Sequence, residues 1–190
     1  MQDTQQRIIE AAIAVLNDDL SASMDKIALQ AGVTRRTLHR YFDNRQDLYK
    51  SCLQEMWRSC QQATSAAYAS SPDAQQQLKH LLYASIDCGK KYAFLHKFNL
   101  VQAPSPVSAG EVEPIQLLQG VVMTLQRQGM LNPELTVPWI LALFLGVVQA
   151  TIQAETTGTV AKHSIKELAW LSFSQGIGLR TYSLIEPSQV

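Results

Sequence analysis

Apolar residues recur along this chain at intervals of three and four, the spacing that lays one stripe down an α-helix. Ile8, Ala12 and Leu16 form the first stripe, widened by Ile9 and Ile13, and predict a helix over residues 4–17. Asp18 and Asp19 interrupt it. Ser23 is placed to cap a short second helix over residues 24–31, with Ile27, Ala28 and Ala31 inward and Gly32 ending it in the left-handed conformation. Thr34 caps a third helix over residues 35–42. Asn44 caps a fourth, with Asp47 three positions on as a short capping box and Leu48, Tyr49, Cys52, Leu53 and Met56 along one face.

Beyond Ser70-Ser71-Pro72, Leu78, Leu82, Ile86 and Gly89 share a face of a further helix. Residues 103–114 hold three prolines, two serines and a glycine and read as a loop. Leu118, Val121, Val122 and Leu125 define the next helix, over residues 115–128. Asn132-Pro133-Glu134 reads as a helix start, but Pro138 leaves two options: a kink there, or a helix beginning only at Thr136. The last helix is expected over residues 164–183. No sustained alternation of apolar and polar residues and no Asn-Gly or Asp-Gly turn argues for strands, so the fold class is all-α.

Composition narrows the class. Apolar residues at 46% and charged residues at 17% fit a packed globular chain rather than a disordered one. The longest apolar run, residues 137–148, falls short of the roughly 18 residues a membrane span needs, so no membrane partner is expected. The N-terminus lacks the apolar stretch of a signal peptide. Cys52, Cys60 and Cys88 are odd in number and have no CxxC spacing. Both features point to reduced thiols in a cytoplasmic protein. Cys52 and Cys60, eight apart on one helix, stand about 12 Å from each other, too far for a disulfide; burial as small apolar residues is expected, and no metal site.

Net charge is zero, so any nucleic-acid surface must be local. One exists: Arg35, Arg36, Arg40, Arg45 and Lys50 stand against only Asp43 and Asp47. The segment Ile27-Ala28-x2-Ala31-Gly32-Val33-Thr34-x3-Leu38 has the parts of a helix-turn-helix. Ala28 lets two short helices cross closely, Gly32 supplies positive φ at the connection, and Val33 and Leu38 fill the space between. On a wheel, Thr34, Leu38, Tyr41 and Phe42 gather on one side of the third helix, and Arg35, Arg36, His39 and Arg40 on the other. Such a rod, roughly 12 Å long, suits a major groove about 12 Å wide. Its guanidiniums can meet guanine edges or phosphates in forked pairs.

Residues 4–56 resemble the DNA-binding head of the tetracycline-repressor (TetR) family, through Ile8, Ile9, Ala11 and Ala12, through Ile27-Ala28, Ala31-Gly32-Val33-Thr34 and Thr37-Leu38-His39-Arg40-Tyr41-Phe42, and through Arg45-Gln46-Asp47-Leu48. The resemblance implies that Thr34, Thr37 and Tyr41 touch the DNA backbone, and that Arg35, Arg36 and His39 reach bases or flanking phosphates. It places Arg45, in a slot usually held by lysine, against phosphate. His39 departs from the family's usual tyrosine, and Asp18-Asp19 from the glycine that often ends the first helix. The expected domains are a helix-turn-helix head over residues 1–50 and a helical ligand-binding and dimerisation body over 51–190.

A head this small reads few bases, and two on a two-fold axis would read a palindromic operator. The segment from Trp139 to Val148 is apolar on all sides, and Ala169, Ser172 and Gly176 form a small-residue seam flanked by Trp170, Leu171, Phe173 and Ile177. That seam serves either a partner or the subunit's own interior. The resemblance implies that the last two helices of each subunit form a four-helix dimer interface. It also implies a cavity in the body. Candidates to line it are Tyr83, Asp87, Phe98, Met123, Trp139, Phe144 and Gln149, although each reads more readily as core packing. Such a lining favours a partly apolar effector.

The expected function is a homodimeric repressor of transcription released from a palindromic operator by a small molecule. The alternative is a DNA-associated structural or cell-cycle factor with the same head and no effector. No cofactor is expected. Catalysis is not expected either: His80, His96 and His163 lack spaced partners, and no glycine-rich phosphate loop occurs.

Overall fold

A computed structural model describes residues 3–94, 113–158, 160, 161 and 163–180. Its described residues form eight helices and no strand: α1 (Thr4–Asp18), α2 (Met24–Gln30), α3 (Arg35–Tyr41), α4 (Arg45–Ala69), α5 (Ala74–Lys91), α6 (Pro114–Arg127), α7 (Val137–Thr157) and α8 (Ile165–Gly176). They divide into two compact units, residues 1–64 with 87–113 and residues 65–86 with 114–190. Helix α4 runs unbroken through residue 50 and contributes to both units, as does α5. Phe98 and the expected loop over 103–112 lie outside the described residues.

In the first unit, α1 packs on α2 and α2 on α3. Ile8, Ala12, Leu16, Ile27, Leu38, Leu48 and Cys52 are fully buried at its centre, and Phe42, Tyr92 and Phe94 close it. The caps fall where the sequence puts them. The hydroxyl of Ser23 accepts the Lys26 N–H at 3.2 Å, that of Thr34 the Thr37 N–H at 3.1 Å, and the Asn44 amide oxygen the Asp47 N–H at 3.1 Å. Asp47 answers by accepting from the Asn44 amide nitrogen at 2.8 Å. Gly32 has φ +65°, a conformation that would strain any residue with a Cβ.

The end of α1 explains the missing glycine. Asp19 caps it with φ −138°, extended backbone that needs no glycine. The Asp19 carboxylate accepts the Ser21 N–H (3.0 Å) and hydroxyl (2.6 Å) and pairs with Lys26 (3.0 Å). The Ser21 hydroxyl first, then Lys26, hold its carboxyl down at about 2.

The thiol expectation is corrected. Cys60 on α4 and Cys88 on α5 are joined by a disulfide, and only Cys52 is free. Spacing along one helix could exclude Cys52–Cys60 but could not see Cys88, which arrives 28 residues later from a different helix. Burial, and then the neighbouring Glu55 carboxylate, push the Cys52 thiol up to about 12.

In the second unit, α7 packs on α6 and α8. Leu78, Leu82 and Ile86 of α5 and Leu118, Val121, Val122 and Leu125 of α6 are buried. Helix α7 starts at Val137, with the Thr136 hydroxyl accepting the Trp139 N–H at 3.4 Å. Pro138 therefore sits in the first turn, where its missing N–H costs nothing, and no kink is needed. Asn132 instead closes a turn, its side-chain oxygen accepting the Glu134 N–H at 3.0 Å. At 21 residues α7 is long and apolar enough, by length and composition, to cross a membrane. The shorter apolar run did not anticipate this, because Gln149, Thr151 and Gln153 continue the helix without breaking it.

Candidate nucleic-acid interface

Helix α3 is two turns long, and its rotation is set from below. Leu38 is fully buried among the α1 and α2 side chains, and Thr34 anchors the N-terminus by capping Thr37, whose hydroxyl it also meets at 2.9 Å. With that side fixed, Arg35, Arg36 and Arg40 project into solvent, while Thr37, His39 and Tyr41 are half-buried at the margins. The Arg40 guanidinium lies over the Tyr41 ring, 5.2 Å from its centroid.

Arg35 is already paired. Its Nη1 donates to Oδ2 of Asp25 on α2 at 2.8 Å, although both side chains are more than half exposed. No local spacing signals a partner ten residues away on another helix, and Asp25 was not foreseen. A pair this open is worth at most about 1 kcal/mol. It orients the guanidinium more than it stabilises the fold.

Arg45 does not join the cationic arc. Its guanidinium is half-buried and donates to the carbonyls of Leu20 and Ala22 and to the Tyr49 hydroxyl, lying over the Tyr49 ring at 5.1 Å. It braces the start of α4 against the α1–α2 connection instead of projecting toward a phosphate, because two carbonyls left unpaired by the turn at residues 20–22 lie within its reach. Arg45→Ala is therefore expected to lower stability by about 1.5–3 kcal/mol, the worth of hydrogen bonds to a charged group. The affinity of the folded fraction for DNA should stay within about twofold. Thermal melts beside DNA titrations check both; unchanged melting with lost affinity would restore the phosphate role.

Among the described residues of the second unit, the cavity candidates do not line one common space. Met123 and Trp139 are exposed at 45% and 59%, and Gln149 and Asp87 are also exposed. Phe144 is core, edge-on to Phe173 at 5.5 Å. Tyr83 stands between Lys79 and Lys166, each within 5.7 Å of its ring, with Trp170 beside Lys79. A groove of about 190 Å³ between α7 and α8 is lined by Val147, Thr151, Ala154, Ile165, Leu168 and Ser172 among others, and by none of the six candidates among the described residues.

The α8 seam divides. Ala169, Phe173 and Ile177 face the unit's own core, Trp170 is half-buried, and Ser172 and Gly176 are exposed. A Cβ at Gly176 would meet Leu143 of α7 at 3.3 Å, so its smallness serves packing inside the subunit. The large apolar side chains left exposed on these helices are Leu168 (45% exposed) and Leu171 (50%) and, on α7, Trp139 and Leu145 (56%). Leu145 falls within the all-round apolar segment 139–148, but neither it nor Leu168 stands out by spacing, because helices apolar on several sides give periodicity no single direction to report.

Residues 8–52 match the family model described as "Bacterial regulatory proteins, tetR family". Over 178 residues, 92% of this chain and 90% of the relative, the chain is 26% identical to the HTH-type transcriptional repressor LfrR of Mycolicibacterium smegmatis. It is also similar to the structure of LfrR from Mycobacterium smegmatis in complex with proflavine, with TM-score 0.66, 25% identity and coverage of 94% and 97% of the two chains. FadR from Bacillus subtilis, solved with stearoyl-CoA, shares the fold at TM-score 0.65 and 18% identity, over 92% of this chain and 99% of that one. Residues 8–52 thus carry the TetR-family DNA-binding head, and along most of its length the all-helical chain is similar to transcriptional regulators of that family.

Proposed function

We propose that the chain is a homodimeric repressor that binds a palindromic operator through α3 and leaves it when a small, partly apolar effector binds. The observation that carries the DNA-binding part is the division of α3: Leu38 sealed beneath, and Arg35, Arg36 and Arg40 exposed above. Arg36, Arg40 and His39 then meet bases or flanking phosphates, Thr34, Thr37 and Tyr41 touch the backbone, and Arg45 acts as a brace. In this reading the DNA-binding head is residue 1 to about 50, and the chain beyond it is a body that dimerises.

Dimerisation is supported by four large apolar side chains of α7 and α8 that are each 45–59% exposed and that a partner would cover. A second copy of this chain, related by a two-fold axis, covers that face and presents two heads to one operator. The effector class rests on the likeness to LfrR, whose structure holds proflavine, so proflavine is the first compound to try. The exposure of Met123, Trp139 and Gln149 favours the effector-free alternative as a second reading. A thermal shift with proflavine separates the two: a raised melting temperature together with release of DNA supports the effector, and neither effect supports the alternative.

The direct test of the DNA surface is titration of duplex DNA with Arg36→Ala and Arg40→Ala. Each is expected to weaken binding at least about tenfold, corresponding to roughly 1–3 kcal/mol per forked contact, with melting temperature and dimer mass unchanged. Undiminished affinity in both variants contradicts the reading.

A further inference from the structure

The Cys60–Cys88 pair occupies a position that regulation can use. Its Cα atoms are 5.8 Å apart, within the span a disulfide bridges without moving backbone. Both cysteines are half-buried at the edge of the first unit's core, so a small reagent can reach them, whereas Cys52 is sealed inside and is no rival partner.

Cys88 sits on the last turn of α5, and that end of α5 is fastened to α1. The Asn17 side chain donates to the Lys91 carbonyl at 2.7 Å and accepts the Phe94 N–H at 3.1 Å. Tyr92 and Phe94 are fully buried, Phe94 against Tyr49 at 6.4 Å. Cys60 lies fifteen residues into α4, about 22 Å along the helix from Arg45. The N-terminal end of α4 is therefore pinned to the α1–α2 connection by Arg45. A bond at Cys60 pins its middle to an arm that itself rests on α1. With the bond closed, α4 cannot pivot about Arg45 without dragging the end of α5 and straining its Asn17 contacts with α1; with it open, that added restraint is gone.

We propose that Cys60 and Cys88 form a reversible thiol–disulfide switch that sets the position of α4 against the head and so changes DNA affinity, an effect that rests on the regulator reading above. The oxidant is a low-molecular-weight disulfide. One cysteine thiolate attacks it, forming a mixed disulfide and expelling one small thiolate. The second cysteine thiolate then attacks the protein sulfur of that mixed disulfide, closing Cys60–Cys88 and expelling the other. The two protein thiols are oxidised, the reagent is reduced to two thiols, and the two protons pass to the departing thiolates. A reducing cytoplasm holds the pair open, and oxidative stress closes it.

The test uses the full chain equilibrated with reduced or oxidised glutathione. Thiols are counted after denaturation, and affinity for a duplex is measured in each state. The expected count falls from three thiols to one, and Kd changes at least about fivefold, the lower range of allosteric couplings. Cys60→Ser and Cys88→Ser should each abolish the redox response while still binding DNA, and Cys52→Ser should retain it. Three thiols remaining in oxidised glutathione, a response surviving in Cys60→Ser, or a Kd constant within about twofold overturns the switch. Failure of wild type to bind any duplex in either state overturns the regulator reading and the affinity effect with it, and the thiol count then reports separately whether the pair closes.

Discussion

Affinity of the dimer for duplex DNA is expected to fall about 10³–10⁵-fold between roughly 50 and 200 mM salt. The chain as a whole carries no net charge, so no global field produces this response. It arises from the head, where Arg35, Arg36, Arg40 and Lys50 are exposed between residues 35 and 50. Doubled by a two-fold axis, these cations fall in the range of about 6–10 phosphate neutralisations that yields such a slope. The pairing of Arg35 with Asp25 and of Lys50 with Asp47 lowers the expected figure toward the bottom of that range. Titrations at several salt concentrations measure it. A response flatter than about tenfold would mean that the exposed arc does not lie along phosphates.

The second large effect concerns the support beneath that arc. Leu38→Ala is expected to destabilise the head by about 2–5 kcal/mol, the cost of a large-to-small change in a packed core. Leu38 is fully buried, joins α3 to the side chains of α1 and α2, and has no exposed atom to contact DNA. Its loss should abolish DNA binding through unfolding of the head, with the missing signal visible in a melt. Arg36→Ala should lose binding with its melt intact. The contrast separates a residue that holds the interface from one that forms it. A Leu38→Ala protein with normal stability and no DNA binding would contradict this division.

Much of the head was legible because its devices are local. Ser23, Thr34 and Asn44 cap N–H groups three residues away, and the turn at Gly32 joins helices adjacent in sequence. What spacing could not reveal lies further apart in the chain. Arg45 turns inward because the Leu20 and Ala22 carbonyls, more than twenty residues upstream, come within its reach. Asp25 meets Arg35 across a helix crossing, and Cys60 finds Cys88 on another helix. The body was legible only as helices. Along α8, Leu168 and Ala169 are adjacent and both apolar, yet one is exposed and the other buried. The wheel supplies the stripes, and only tertiary packing decides which stripe turns inward. Aromatic identity likewise nominated Trp139 and Phe144 together for a cavity, while the fold leaves the first exposed and packs the second into the core.

The claim on which the account depends is that two copies of α3 read one two-fold DNA site, and selection of bound sequences from a random duplex pool tests it most directly. The expected result is an enriched inverted repeat whose half-sites lie about one helical turn apart or a multiple of it, recovered by wild type and lost with Arg36→Ala. A pool that emerges without any enriched motif, or with the same motif retained by Arg36→Ala, would contradict it.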